Sequence, residues 1–88
     1  MKAEVTVITA AYNASAYIEK CIQSVLEQTV YCQMIVVNDA STDETVEIAK
    51  KYEKLYPEQI QVISNEHNCG VAVSRNKGIR LAKTEYVA

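Results

Sequence analysis

Two alternating patterns of apolar residues run along this chain. Short apolar runs such as Val5-Thr6-Val7-Ile8 and Met34-Ile35-Val36-Val37 are typical of β-strands. Between such runs, apolar residues recur at every third or fourth position, as in an amphipathic helix. The first of these helices has its apolar stripe on Ile18, Cys21, Ile22, Val25 and Leu26. The alternation predicts the α/β class, with a mostly parallel sheet covered by helices.

The predicted strands are Val5 to about Ala10, Met34 to Val37, and Ile60 to Ile63. The second strand is apolar at every position, which indicates a central strand covered on both faces. Glu85-Tyr86-Val87-Ala88 resembles the opening of a fourth strand. Because an unfinished strand would leave backbone groups unpaired, the chain is expected to be the amino-terminal part of a longer domain, truncated at the start of this strand.

Two features of the later helices are predicted. The segment Ser41-Thr42-Asp43-Glu44 matches a capping box, so the second helix is expected to begin near Thr42 and to end at about Tyr56, before Pro57. The third helix is expected from about Val71 to Ala82. Its apolar face is predicted to hold Ala72, Ile79 and Ala82, together with Asn76, which would then need a hydrogen-bond partner or lie at a site.

Length and charge exclude several classes of protein. The 88 residues form one domain at most, and no apolar run reaches the roughly 20 residues that span a bilayer. The net charge is −2, and Lys77, Arg80 and Lys83 are expected to form a solvated helix face, with Arg75 as an exception. Nucleic-acid binding is therefore not expected. No secretion signal precedes the first strand, which favours a cytoplasmic location.

Few residues suit covalent or metal chemistry. The three cysteines have no CxxC spacing, which favours free thiols over a disulfide or a zinc site. Gly70 and Gly78 are the only glycines, so neither a P-loop nor a dinucleotide-binding motif can be formed. The single histidine, His67, lies in an isolated predicted loop, which argues against catalysis by a serine or cysteine nucleophile.

Polar side chains gather where the predicted strands end, and ligands of open α/β sheets bind at such ends. These residues are Tyr12, Asn13, Asn38, Asp39, Asn65 and Asn68, with Arg75 on the third helix. Tyr12 offers an aromatic face for stacking and Asp39 offers acceptors for a ring N–H, which together suit a nucleobase. Alternatively, Asp39 is only a turn residue before the helix, and spacing alone favours this second interpretation.

Four segments of the chain are similar to the family 2 glycosyltransferases and occur in that family's order. They are Val5–Asn13, Ile22–Thr29, Ile35–Asp43 and Asn65–Gly78, and they cover nearly the whole chain. The resemblance implies the glycosyltransferase A-type fold, a Rossmann-like three-layer α/β/α arrangement. Each motif is moderately specific, and the four together in register make a strong match.

The resemblance also implies roles for individual residues. The tyrosine after the first strand of this family stacks on the base of a nucleotide-sugar donor, and it corresponds to Tyr12. The aspartate after the second strand corresponds to Asp39 and is expected to accept a hydrogen bond from the base. Asn76 and Gly78 resemble structural residues that hold the third helix near the sheet. Substrate binding is thus assigned to Thr9, Ala10, Tyr12, Asp39 and Arg75.

The chain departs from the family's pattern in three respects. Ala10 stands where the family usually has proline, and Ala40 where it often has glycine. The family's metal-binding carboxylates follow the fourth strand, so catalytic residues and the ligands of a divalent metal, Mg²⁺ or Mn²⁺, are expected beyond Ala88. The isolated chain is therefore expected to be inactive.

The function implied by the resemblance is that of an inverting glycosyltransferase. The parent enzyme would move a sugar from a nucleotide donor, a UDP-sugar in the first instance, to a hydroxyl of a glycan or lipid-linked acceptor in cell-wall or polysaccharide biosynthesis. It would work in the cytoplasm or at the inner face of the membrane. Two alternatives remain open: a nucleotide-binding module without catalysis, and an interaction module that forms a homodimer through the sheet edge near Tyr86 and Val87.

Overall fold

Strands and helices alternate along the computed structural model, which describes residues 3–88. Met1 and Lys2, in the stretch where no secretion signal is predicted, lie outside the described residues. The elements are β1 (Val5–Ala11), α1 (Ile18–Leu26), β2 (Cys32–Asn38), α2 (Thr45–Leu55), β3 (Ile60–Ser64), α3 (Val71–Leu81) and β4 (Tyr86–Val87). They form a four-stranded sheet of order β3-β2-β1-β4 in which every pair is parallel. The predicted α/β class is confirmed.

Helices cover both faces of the sheet, because successive side chains of a strand point to opposite faces. Met34 and Val36 of β2 belong to the larger core, which α1 and α2 complete with Ile18, Ile22, Val25, Ala49 and Tyr52. Ile35 and Val37 of the same strand form a second core with Ile8. Helix α3 packs on this second side, against β1 and β2. The three-layer arrangement is therefore present, and β2 is an interior strand as predicted.

Helix α2 begins at Thr45, three residues after the predicted start. The predicted capping box is wrong, since no side chain caps this helix from its N-cap residue, Glu44. The Ser41 hydroxyl instead accepts a hydrogen bond from the backbone N–H of Asn13 at 3.0 Å. The Asp43 carboxylate accepts the backbone N–H of Thr45 at 3.0 Å. Contacts with the neighbouring turn therefore determine where the helix begins.

Helix α3 packs on the sheet through small residues. Ser74 is fully buried, and Gly78 lies against Ile8 of β1. The predicted apolar face is wrong for Ala72, Asn76 and Ile79, which are exposed. Ala82 does pack against the second core, as predicted. The helix axis lies so close to the sheet that large side chains do not fit between them.

Strand β4 pairs with β1 through Val5 opposite Tyr86 and Thr6 opposite Val87, which confirms the predicted opening of a fourth strand. Tyr86 and Val87 remain exposed at this edge. Association of two copies through it stays a prediction. Among residues 3–88, the helices are all too short or too polar to cross a lipid bilayer.

Candidate functional site

A cleft of about 350 Å³ lies at the carboxyl end of the sheet. Its lining comes from the end of β1 and the turn after it, the turn after β2, the loop after β3 and the first residue of α3. The lining residues are Ala10, Ala11, Tyr12, Asp39, Asn68, Gly70 and Val71. Three of the five predicted substrate-binding residues, Ala10, Tyr12 and Asp39, are thus brought together. This position is where parallel α/β sheets bind ligands.

Backbone pairing continues past the strand ends and aligns the turns that form the cleft. The Asp39 N–H donates to the carbonyl of Ala11 at 2.8 Å, and the Asn65 N–H donates to the carbonyl of Asn38 at 2.8 Å. These bonds place Asp39 beside the β1 turn and Asn65 beside the β2 turn. The cleft is therefore built on the rigid end of the sheet.

The end of β1 contributes Ala10 to the cleft but not Thr9, and the turn after β1 contributes Tyr12. The Tyr12 side chain is 53% exposed, so its ring is available for contact. The Thr9 hydroxyl lies 4.0 Å from Cys21 Sγ in α1, on the opposite face of the sheet. The alternation of side chains along β1 explains the difference, because Thr9 and Ala10 point to opposite faces.

Asp39 is the carboxylate of the cleft, and it is only 4% exposed. Its Oδ1 accepts hydrogen bonds from Asn65 Nδ2 at 2.9 Å and from the Cys69 backbone N–H at 2.7 Å. Its Oδ2 accepts the Gly70 backbone N–H at 2.9 Å. The Cys69 N–H first, and then the Asn65 amide, hold the pKa of Asp39 below its ordinary value. Asp39 is therefore charged at neutral pH and anchors the loop after β3.

Both sequence-based interpretations of Asp39 have a structural counterpart. As the turn interpretation requires, Asp39 accepts hydrogen bonds from backbone N–H groups. These groups belong to Cys69 and Gly70 in the loop after β3, however, and not to the turn beside Asp39. A carboxylate offers about four acceptor positions, and three are used here. A hydrogen bond from the Ser74 side chain also contributes to the lowered pKa of Asp39. Asp39 nevertheless lines the cleft, where a ligand can reach it.

A buried polar network stands behind Asp39. Asn65 Nδ2 donates to Asp39 Oδ1 and to Ser74 Oγ at 3.0 Å, while Lys77 Nζ donates to Asn65 Oδ1 at 2.7 Å. Sequence reasoning placed Lys77 on a solvated face, and that prediction is wrong, since Lys77 is half-buried in this network. The spacing of Ser74 and Gly78, two small residues one turn apart, is the sequence signal that could have identified the buried face.

Arg75 does not line the cleft. Its side chain is exposed, and it follows Val71 of the cleft lining by one helical turn. A role for Arg75 near the base and phosphates stays a prediction. Asn13, which the sequence grouped with the ligand-facing residues, instead accepts the Thr42 backbone N–H at 2.8 Å with its Oδ1.

The turns after β1 and β2 are joined by further hydrogen bonds. Asp43 Oδ2 accepts the backbone N–H of Ser15 at 3.1 Å, and Thr45 Oγ1 accepts that of Ala14 at 2.8 Å. Asp43 also accepts the Thr45 hydroxyl, and this bond is the main cause that lowers the pKa of Asp43 to about 2. These contacts stabilise the turn that carries Tyr12.

The cleft does not have the donor set of a metal site. Asp39 is its one lining carboxylate, and most of its acceptor positions are occupied by N–H donors. Over residues 3–88, histidine, cysteine, aspartate and glutamate side chains do not gather in any group of three that could hold a cation. The residues present therefore do not fit the divalent metal that the resemblance implies.

The fold is that of an α/β domain with a cleft at the carboxyl ends of its parallel strands. Comparison with known proteins identifies the family. The sequence profile of glycosyl transferase family 2 matches residues 6–88. This chain belongs to that family, as the sequence motifs predicted.

One curated relative is TuaG of Bacillus subtilis (strain 168), which carries the provisional name of a teichuronic acid biosynthesis glycosyltransferase. It is 48% identical over 85 residues, which make up 96% of this chain. The chain spans only 33% of the length of TuaG. The family relationship therefore concerns a region that is one part of this relative.

Two solved glycosyltransferase structures share the fold. S. aureus TarS (residues 1–349) in complex with UDP has a TM-score of 0.85 and 31% identity over 96% of this chain and 25% of its own. The mannosyltransferase PcManGT from Pyrobaculum calidifontis, in complex with GDP-Man and Mn²⁺, has a TM-score of 0.83 and 26% identity over 94% and 25%. The glycosyltransferase A-type fold is thus confirmed.

Proposed function

We propose that this chain, residues 1–88, is the amino-terminal, nucleotide-sugar-binding part of one glycosyltransferase catalytic domain. The parent enzyme transfers a sugar from a UDP-sugar to an acceptor hydroxyl with inversion. The observation that carries the proposal is that the Asp39 carboxylate lines the same cleft as the exposed ring of Tyr12. A nucleobase has a flat face and polar edge groups, which match an aromatic ring and a charged acceptor.

The chemistry of Asp39 limits which bases suit the cleft. A deprotonated carboxylate only accepts hydrogen bonds, so it favours a base with a ring N–H, such as uracil, thymine or guanine. Neutral cytosine and adenine have no ring N–H on the corresponding edge. The complex of TarS with UDP supports uridine as the first choice, and the complex of PcManGT with GDP-Man keeps guanosine as the second.

Catalysis by the parent enzyme needs groups that these residues do not supply. The acceptor hydroxyl must lose a proton to a general base as its oxygen attacks the anomeric carbon. We place that base, and the carboxylates that would hold a divalent metal, elsewhere in a longer protein. This chain alone is then a binding unit without transferase activity.

The class of molecule that accepts the sugar is proposed from the relatives and not from the cleft. The name of TuaG refers to teichuronic acid biosynthesis, which supports a cell-wall or other polysaccharide acceptor, either glycan or lipid-linked. A cytoplasmic location, or the inner face of the membrane, suits an enzyme that uses nucleotide-sugars.

Titration with UDP and CDP, followed by backbone amide NMR, tests the proposal without any mutation. The two ligands differ at the base, where uracil has a ring N–H and cytosine has an acceptor nitrogen. A hydrogen bond to a charged group contributes about 1.5–3 kcal/mol. UDP is therefore expected to bind at least about tenfold more tightly than CDP. Shifts are expected at Tyr12, Asp39 and Gly70.

Two further arms complete this experiment. Asp39→Asn should abolish the preference for UDP, whereas Asp43→Asn, at a carboxylate outside the cleft lining, should retain it. Mg²⁺ should leave the affinity unchanged, because the cleft does not have the ligands of a metal site. Equal binding of UDP and CDP by the wild-type chain would contradict the proposal.

A further inference from the structure

We infer that Asn65, with Lys77 behind it, is a positioning residue that fixes the Asp39 carboxylate for ligand recognition. The inference rests on the proposed function, because it explains how the base-reading group of that site is held. Neither Asn65 nor Lys77 lines the cleft. Both therefore act on a ligand only through Asp39.

The Asn65 side chain is fixed by its own hydrogen bonds. It is 7% exposed, and its Nδ2 donates to Asp39 Oδ1 at 2.9 Å and to Ser74 Oγ at 3.0 Å. Its Oδ1 accepts Lys77 Nζ at 2.7 Å. Rotation of the amide by half a turn would place its oxygen against the Asp39 carboxylate and its NH₂ group against the Lys77 ammonium. The network therefore permits one orientation of Asn65.

This orientation determines which oxygen of Asp39 can meet a ligand. The Asn65 amide and the Cys69 N–H occupy both acceptor positions of Oδ1. Gly70 donates to Oδ2, so Oδ2 accepts fewer of these three bonds than Oδ1 and is the oxygen more open to a ligand. Without the Asn65 donor, Oδ1 would regain a free acceptor and the carboxylate would lose one of three anchors. A base could then donate its hydrogen bond to either oxygen of Asp39, so its orientation in the cleft would no longer be fixed.

Lys77 strengthens this arrangement from the far side of Asn65. Its ammonium is the charged donor on the Asn65 oxygen, and a charge at that end polarises the amide and improves its N–H donors. Lys77 and Asp39 have opposite charges and bind opposite ends of the same amide. This arrangement lets the positive charge of Lys77 support a nearly buried carboxylate without contacting it.

The test combines three variants and two readouts. Asn65→Asp keeps the size of the side chain and can still pair with Lys77, but it replaces the donor to Asp39 by a carboxylate. Lys77→Met keeps an unbranched side chain but removes the charge and the hydrogen bond to Asn65 Oδ1. Gln61→Glu is the matched control, because it adds the same charge at an exposed residue of β3 outside the cleft lining and the network. The readouts are the pH titration of the Asp39 carboxyl carbon without ligand, and the affinity for UDP.

Asn65→Asp is expected to raise the pKa of Asp39, shift the Cys69 and Gly70 amide signals, and weaken UDP binding about tenfold or more. Lys77→Met is expected to change the same quantities in the same direction, by a smaller amount. Gln61→Glu should leave the Asp39 titration and both amide signals at their wild-type values, because position 61 lies outside the cleft lining. The affinity for CDP should change little in any variant. This result would distinguish a loss of base recognition from a general loss of nucleotide binding.

Two results would overturn the inference. In one, Asn65→Asp and Lys77→Met both leave the Asp39 titration at its wild-type value. In the other, they change that titration but not the affinity for UDP. Should Asn65→Asp not fold, Lys77→Met alone decides, because Lys77 is only half-buried. A wild-type chain that binds no UDP would instead refute the proposed function, and the ligand-free titration would still show whether Asn65 holds Asp39.

Discussion

Gly78 of α3 lies so close to Ile8 of β1 that a Cβ atom on Gly78 would come within 2.4 Å of Ile8 Cγ2. This close approach sets the distance between the helix and the sheet. Ser74 lies one turn earlier on the same face and reaches Asn65, the residue that bonds Asp39. The packing at Gly78 therefore brings α3 within reach of the cleft network.

Gly78→Ala is expected to destabilise the protein by about 1–3 kcal/mol, because the added methyl group must displace Ile8 or the helix. The better helix propensity of alanine offsets part of this loss. Urea unfolding measures the change. Asn76→Ala, at an exposed position of the same helix, serves as the control and should stay within about 0.5 kcal/mol of wild type. Equal stability of the two variants would contradict the close packing.

Ala40→Gly is expected to stabilise the protein by about 1 kcal/mol. Ala40 has φ 59°, in the left-handed region, where a side chain costs roughly 1–2 kcal/mol relative to glycine. The glycine common in the family at this position relieves that strain, while the greater freedom of glycine in the unfolded state reduces the gain. Thermal unfolding measures the shift.

The matched control for Ala40→Gly is the same substitution in α3. Ala72→Gly, at an exposed helical position, should destabilise by about 1 kcal/mol. Opposite signs for the two Ala→Gly changes are the expected result. Two losses of similar size would contradict the strain at Ala40.

Low pH is expected to reduce the unfolding free energy of the protein, partly through protonation of Asp43. The pKa of Asp43 is about 2 in the folded chain against 3.8 ordinarily, so the unfolded chain binds more protons between these values. The stabilisation from the charged Asp43 is fully present above about pH 4 and is lost as the pH falls towards about 2. The lowered pKa of Asp39 acts in the same direction.

Asp43→Asn is therefore expected to reduce the dependence of the unfolding free energy on pH between about 4 and 2. It should also lower stability at neutral pH, because the bonds from Ser15 and Thr45 weaken. Urea unfolding at a series of pH values measures both effects. A variant with the wild-type slope would show that Asp43 has no special part in acid stability.

Tyr12→Ala is expected to weaken UDP binding by about 5- to 150-fold, since stacking of one base on an aromatic ring contributes about 1–3 kcal/mol. Tyr17→Ala removes an even more exposed tyrosine, at 74%, which lies outside the cleft lining. Calorimetric titration of both variants compares them directly. Similar UDP affinities of the two variants would show that Tyr12 does not stack on the base.

Much of the fold could be predicted because the relevant signals are local. The apolar run Met34–Val37 indicated an interior strand, and residues 34–39 are indeed all buried. Tyr12 and Asp39 could be placed together because parallel strands bring their carboxyl ends to one edge of the sheet. Thr9 shows the limit of that argument, since the strand alternation directs it to the opposite face.

The rest depended on contacts between residues distant in sequence. Ser41 is bonded to Asn13, 28 residues earlier, so local spacing suggested a capping box that does not form. Lys77 was wrongly placed on a solvated face, because hydrophobicity does not reveal a helix that packs through Ser74 and Gly78. A buried serine and glycine carry no apolar signal, although they determine the orientation of α3.

Asp39 holds the loop after β3 through the Asn65 side chain at the start of the loop and through the main chain at Cys69 and Gly70 near its end. The side chains of His67, Asn68 and Cys69 are therefore not needed for the anchor, and all three residues are exposed. Asn68 nevertheless forms part of the cleft wall. Substitutions at position 68 can thus change the ligand preference of the cleft with little effect on its shape, which makes this loop a natural place for divergence among related enzymes and for their redesign.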